Sequence, residues 1–484
     1  MRHLLATRYG RLLTFFLLYV TEGIPQGFAS VAIAFQMRKQ GLGPAEVGAF
    51  VASLYLPWAW KVFAGPVVDL VYSERLGKRR AWIVGCQLMM SLTLLAAWPI
   101  DYSTNLHLFS LIIVVHNVFA ATQDVAIDAL AVTVLPESER GTANGFMFAG
   151  AYTGAGIGGA GVLYLTSVIG FSNSFWLVAG SILLVTVFIS LRIREPRTAV
   201  AVPQAVVLQP IAIREDGRGA TIPLEYGRGN DLPEMTAEKL RPADVLPYLG
   251  KLFKSMFGNA RALAAFFFAL LPTGAFAVSL TVSQNLSAEF GLSEATVANI
   301  TVVSTILSVG GCLSGGFLSD RIGRRKAISL FAILTLIPTL ALAWHLNANG
   351  WIMPIDTKAA SRPVPADGLV TAFIVWGFIY SYVIGLIYGS RTAGFMDVSN
   401  PVVAATQFTA YMSLMNLAMA YSSWWQGWAI EHWGYPNMLI TDAALGLICL
   451  VPLALMAPRK PIPALETTPM QPDVQHPAQP TGSP

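Results

Sequence analysis

The sequence predicts an all-α integral membrane protein with twelve transmembrane helices in two six-helix halves, and three observations carry that prediction. Charge is scarce, because 31 Lys and Arg with 27 Asp and Glu make only 12% of 484 residues, about half the charged share of a soluble globular chain. Apolar residues reach 54% and the mean hydropathy is +0.57, more apolar surface than a water-facing exterior hides. Length sets the number of crossings: at about 20 residues each, a dozen fit with room for one long loop and two tails.

Apolar runs read against charged punctuation place the first six helices at 12–36, 45–68, 80–100, 106–135, 141–168 and 173–193. The second six fall at 261–286, 294–318, 326–346, 367–395, 403–430 and 436–456. The start is basic and then apolar, like a secretory leader, but the run continues past Glu22 and Pro25 to Phe35, so it reads as the first span. Residues 194–260 collect Glu215, Asp216, Glu225, Asp231, Glu234, Glu238 and Asp244 among Arg, Lys, Pro and Gly. They are expected to be a solvated cytoplasmic linker between an N-terminal half, 1–193, and a C-terminal half, 261–456. Residues 457–484 hold eight Pro and no apolar run, the composition of a disordered tail.

Basic residues give the orientation. With a cytoplasmic N-terminus, 25 of the 31 Lys and Arg fall on the cytoplasmic side, the far side holds Arg38, Lys39, Lys358 and Arg362, and Lys61 and Arg391 lie within spans. That bias predicts an inner (plasma) membrane protein with both termini in the cytoplasm. Cys86, Cys312 and Cys449 sit singly in apolar runs, which gives neither a disulfide framework nor a metal site. No basic stripe for nucleic acid, nucleophile elbow or phosphate loop is present, so neither an enzyme nor a cofactor is expected.

Two loops repeat one pattern. Gly65, three residues and Asp69 precede the basic turn that holds Arg79 and Arg80; Gly316, three residues and Asp320 precede Arg321, Gly323, Arg324 and Arg325. Repeated loops imply an internal duplication, which in transporters puts substrate between the halves near the midplane. Glycine permits close helix approach, the aspartate accepts from a neighbouring helix N-terminus, and the arginines pair with it or with anionic lipid. With Arg140 in the helix 4–5 loop, these residues are the expected gate.

Polar residues inside spans propose the chemistry. Helix 4 carries Gln123, Asp124 and Asp128, with His116 two turns earlier. The two aspartates share a face, and Asp124 lies about 18 Å from the cytoplasmic end of its helix. A carboxylate at that depth is costly unless it meets a cavity, a cation or a proton, so the pair is the expected proton-coupling site; interhelical glue is the bland alternative. Glu22, beside Gly23, Pro25 and Gly27, is either a second protonatable group or a buried partner of Lys61. Lys61 and Arg391 suit an anionic substrate if they face the cavity, whereas the amides Gln284, Asn285, Gln407 and Asn416 are weaker candidates. Gly150, Gly154 and Gly158 give helix 5 a smooth packing face. They also approach a signature of drug/proton antiporters, which keeps efflux of amphipathic compounds open.

The Asp320 loop resembles the helix 8–9 signature of the major facilitator superfamily. Within that superfamily the chain is similar to the branch of AmpG-type muropeptide permeases and acetyl-CoA transporters. The resemblance rests on Gly23-Ile24-Pro25, on Trp60-Lys61-Val62 followed by Gly65-Pro66-Val67-Val68-Asp69, and on Gln123-Asp124-Val125-Ala126-Ile127-Asp128-Ala129. Leu135-Pro136-Glu137, Glu139-Arg140-Gly141 and Ala405-Thr406-Gln407-Phe408 add to it. It implies alternating access by a monomer and proton-driven uptake of an anionic conjugate such as an anhydromuropeptide, or transport of a CoA thioester. The branch carries charged residues in helix 7, whereas Leu270 to Ala275 here has none. A non-transporting sensor whose linker binds a cytoplasmic partner is a reading of a different class.

Overall fold

The computed structural model describes residues 4–71, 73, 77–193, 250, 253–254, 256–258, 260–398 and 404–456. Most of the expected linker and all of the expected tail lie outside them. The first half holds α1 (Arg8–Lys39), α2 (Pro44–Trp60, resuming at Ala64–Leu70), α3 (Arg80–Ala97), α4 (Leu106–Val134), α5 (Glu137–Gly156 with Val162–Ile169) and α6 (Ser174–Arg192). In the second half are α7 (Ala260–Leu270, resuming at Ser283–Glu289), α8 (Glu294–Ile322), α9 (Arg324–Leu334 with Leu336–Ala348) and α10 (Asp367–Val398). The stretch Ala404–Gly446 turns at Gly434, where φ is 78°, and so supplies two crossings, α11 (404–433) and α12 (435–446, then Leu450–Leu455).

Local chemistry explains the irregular points. Thr7 caps α1 by accepting from the Gly10 N–H at 3.1 Å, satisfying one orphan donor of the first turn. Pro25 removes one backbone donor, and α1 continues past it into a π-turn over Phe28–Ile33. In α7 a π-turn occupies Val278–Val282, the same register 250 residues on, and Gly41 and Gly291 end the two helices with φ of 92° and 68°. The duplication therefore extends to the distortions of the helices.

A continuous helix 7 was expected over 261–286; the chain instead leaves helix between Leu270 and Val278, at Pro272 and at Gly274 with φ of 76°. Broken backbone in a membrane survives only where its polar groups find partners. Asp442 Oδ2 accepts from the Phe276 and Ala277 N–H groups at 2.7 and 2.9 Å. Ala275 N–H donates to Thr335 Oγ1 at 2.9 Å and Gly274 N–H to the Gly446 carbonyl at 3.1 Å. The Tyr421 and Tyr380 hydroxyls donate to the Leu270 and Ala275 carbonyls, each at 2.7 Å.

Glycine sets the tight contacts within each half. A Cβ at Gly158 would stand 1.8 Å from the Ile24 carbonyl oxygen, and one at Gly315 would stand 2.4 Å from that of Leu386, so α5 lies directly on α1 and α8 on α10. Gly65 and Gly316, expected to be points of close approach, are not so among the described residues: there a Cβ at Gly65 meets nothing within 4 Å, and one at Gly316 meets only the Gly389 oxygen at 3.7 Å.

The hydrogen bonds described between the halves concentrate at the end away from the N-terminus, termed here the outer end. Arg38 Nη2 lies 2.6 Å from Glu289 Oε1, with side chains 3% and 0% exposed. Glu289 also accepts from Tyr435 Oη at 2.6 Å and Trp351 Nε1 at 2.9 Å. Lys39 pairs with Glu294, the Ala45 N–H donates to Glu431 at 2.9 Å, and Tyr164 bonds Asn299. Nearer the other end the described link is a Tyr152–Cys312 contact at 3.7 Å.

Candidate functional site

Four charged residues of the N-terminal half, Glu22, Lys61, Asp124 and Asp128, meet where α1, α2 and α4 converge. α2 tightens into a 3-10 turn at Lys61–Phe63, three residues before Pro66 removes a backbone donor. Lys61 Nζ donates to Asp124 Oδ2 at 2.8 Å, the side chains being 12% and 4% exposed. The same ammonium lies 5.6 Å from the centre of the Trp58 ring. One turn along α4, Asp128 is exposed and accepts from Tyr19 Oη at 2.8 Å.

Tyr19 and Glu22 lie three apart on α1 and face Asp124 and Asp128, four apart on α4. Glu22 is buried within reach of Asp124, and its Oε2 has no hydrogen-bond partner among the described residues. Of the two readings of Glu22, the lysine partnership falls to Asp124 instead. The cluster thus gathers three carboxyls, one phenol and one ammonium, an excess of acid over base in a region where uncompensated charge is costly.

Other expected site residues lie elsewhere. Gln123 is fully buried, and its Nε2 donates to Thr21 Oγ1 at 3.3 Å, opposite a similar bond of 3.1 Å from Gln87. His116 is buried against α3, with Nδ1 3.0 Å from the Met90 carbonyl and 3.1 Å from Thr93 Oγ1. A carbonyl only accepts, so Nδ1 carries the hydrogen. Arg391 is 1% exposed; its Nη2 donates to the Phe268, Ala269 and Leu271 carbonyls at 3.1, 3.2 and 3.1 Å. It therefore caps the broken end of α7, where helix carbonyls and dipole favour a cation.

Among the expected gate residues, Arg79 Nη1 donates to the Val68 carbonyl at 2.9 Å and Arg325 Nη1 to the Ala454 carbonyl at 2.9 Å. The Arg321 guanidinium lies 4.1 Å from the Phe317 ring centre, and Gly323 turns the chain between α8 and α9 with φ of 88°. Arg80 and Arg324 each open a helix, and the side chains of Asp69, Arg140 and Asp320 lie outside the described residues. A pair that the sequence did not suggest, Arg11 with Glu139, is bidentate at 2.7 and 2.9 Å and ties the start of α1 to that of α5.

Tyr19, Arg38, Glu289 and Asp442 were also missed. Asp442 was legible by the rule that singled out Asp124, an acid within an apolar run. Tyr19 carried a weaker signal, standing one turn from Glu22.

Comparison with known proteins follows the same lines. The family profile described as Major Facilitator Superfamily matches residues 12–355. The anhydromuropeptide permease of Escherichia coli (strain K12) is 23% identical over 435 residues, covering 89% of this chain and 77% of that one. The putative transporter AmpG 4 of Rickettsia conorii is 23% identical over 455 residues, covering 91% and 95%. Among solved structures, the nucleoside transporter NupG superposes with a TM-score of 0.63 at 14% identity over 92% of this chain and 98% of that one. The xylose transporter XylE from E. coli gives 0.61 at 14% identity over 93% and 97%.

Proposed function

The chain belongs to the major facilitator superfamily, and on that premise we propose that this integral membrane secondary transporter couples protons to the import of an anionic conjugate of the anhydromuropeptide type. The observation that carries the reading is the Lys61–Asp124 pair at 2.8 Å, buried yet one helical turn from the exposed Asp128. A buried ion pair resists the loss of either partner, so an incoming substrate anion gains Lys61 only when Asp124 is neutralised. A proton on Asp124 does that. Lys61 then exchanges a protein carboxylate for a substrate carboxylate, and the two ligands enter together.

Asp128, exposed and held by the Tyr19 hydroxyl one turn from this pair, relays the proton, and Glu22 provides a second carboxyl within reach of Asp124. The relatives named for anhydromuropeptide and AmpG transport support the substrate class. The two Asp and Arg loops act as the gate at the inner end, and residues 194–260 join the halves as a cytoplasmic linker, with both termini on that side of a bacterial inner membrane. The helix 5 glycines that resemble an antiporter signature are occupied by packing on α1, so they lend no weight to efflux.

The test compares gradient-driven uptake of labelled anhydromuropeptide into empty proteoliposomes with its exchange into proteoliposomes loaded with the unlabelled compound. Asp124→Asn is expected to abolish uptake driven by a proton gradient while leaving substrate exchange measurable. Gradient-driven uptake equal to that of the unsubstituted protein would sink the proton assignment.

A further inference from the structure

The last segment of α7, Ser283–Glu289, packs against the end of α1 across the boundary between the halves, and Gln284 through Glu289 are all buried. Asn285 is fully buried, and among the described residues neither its Nδ2 nor its Oδ1 has a partner; Gln284, 9% exposed, has an Oε1 likewise unpartnered among them. Glu289, one turn further on, is bonded by Arg38, Trp351 and Tyr435. The closed outer end satisfies its carboxylate and leaves its amides without a described protein partner. Buried amides without partners are disfavoured and rare in folded proteins. Nor does the fold require an amide there, because the position of α1 that corresponds to 285 in the duplication is Phe35, also fully buried.

We propose that Gln284 and Asn285 are substrate contacts of the outward-open state, and that closure of the outer end strips them from the substrate and lowers affinity before release. Opening that end breaks the Arg38–Glu289 contact and exposes the amides to whatever fills the outer cavity. An amide presents donors and an acceptor together, so the groups it suits are hydroxyls and peptide amides, the body of a glycopeptide whose anionic end goes to Lys61. This rests on the alternating-access reading above and assigns the outer half of its substrate path.

Asn285→Leu keeps the branched four-atom skeleton of the side chain and removes the unpaired groups. Exchange of labelled anhydromuropeptide is measured in right-side-out and inside-out vesicles, which requires no proton gradient. The KM at the outer face is expected to rise about tenfold with the inner-face KM unchanged; Gln284→Leu gives a second reading should the first variant fold poorly. In a background with Cys86, Cys312 and Cys449 replaced by Ala, an Ala288→Cys probe in the seal is expected to react several-fold more slowly with a membrane-impermeant maleimide when Asn285 is Leu.

Equal KM changes at both faces, or none, overturn the proposal, including when labelling slows, because the amides then belong to the seal alone. Failure of the unsubstituted protein to exchange anhydromuropeptide sinks the substrate reading instead. Even then, an unchanged labelling rate in Asn285→Leu overturns this inference, since that measurement needs no substrate.

Discussion

Glu289→Gln removes the charge at the centre of the outer contact while keeping its shape. In the closed arrangement Glu289 is 0% exposed and accepts from Arg38, Tyr435 and Trp351 at 2.6, 2.6 and 2.9 Å. Removing one partner of a buried pair costs about 3–5 kcal/mol, because the other charge stays buried without compensation. In the outward-open arrangement both groups reach water and the substitution costs little. The ratio of closed to open protein is therefore expected to fall by roughly two to three and a half powers of ten, at about 1.4 kcal/mol per decade.

The assay is a pulsed electron-resonance distance between spin labels at Thr104 and Ala360, both exposed and in opposite halves. Glu289→Gln should move the distribution to longer distances, and Trp351→Phe, which removes one bond to a charged acceptor worth about 1.5–3 kcal/mol, should give an intermediate shift. Replacing Arg38 and Glu289 together by Met should restore the short distance, since apolar substitution of a whole buried pair is often neutral or stabilising. A folded Glu289→Gln protein with an unchanged distribution would refute the view that this pair holds the outer end shut.

Two further expectations concern stability. Gly158→Val puts side-chain atoms where a Cβ already stands 1.8 Å from the Ile24 carbonyl oxygen; α1 and α5 must separate, and a large fall in Tm or loss of folded protein in detergent is the expected outcome, whereas Gly156→Ala, at a position with open space, should leave Tm nearly unchanged. Asp442→Ala removes the acceptor for Phe276, Ala277 and Gln426, hydrogen bonds to a charged group worth about 1.5–3 kcal/mol each; a Tm equal to that of the unsubstituted protein would contradict its role as the pin of the α7 break.

The architecture was legible because the bilayer constrains sequence so strongly: scarcity of charge, runs of spanning length and the asymmetry of Lys and Arg each follow from solvation. The Asp124 cluster was legible for the same reason, as an exception to that scarcity. Arg38 and Glu289 escaped because charges near span ends serve topology as a rule, and the pairing of residues 251 positions apart is a fact of tertiary packing. Arg391 was ambiguous because its partners are carbonyls created by a break at Leu270, and that break was read as continuous helix despite Pro272 and Gly274. Lys61 was recognised as important, but the partner offered for it was Glu22; that it pairs with Asp124 depends on the relative rotation of α1, α2 and α4, which no local pattern encodes.

The central claim is that a proton on Asp124 frees Lys61 for a substrate anion. The most direct measurement is internal pH in proteoliposomes holding a trapped pH-sensitive dye, recorded as anhydromuropeptide is added outside at equal pH. Acidification of the lumen that requires substrate, and that vanishes in Asp124→Asn while exchange persists, is the expected result; substrate uptake of normal rate with no accompanying proton movement would contradict it.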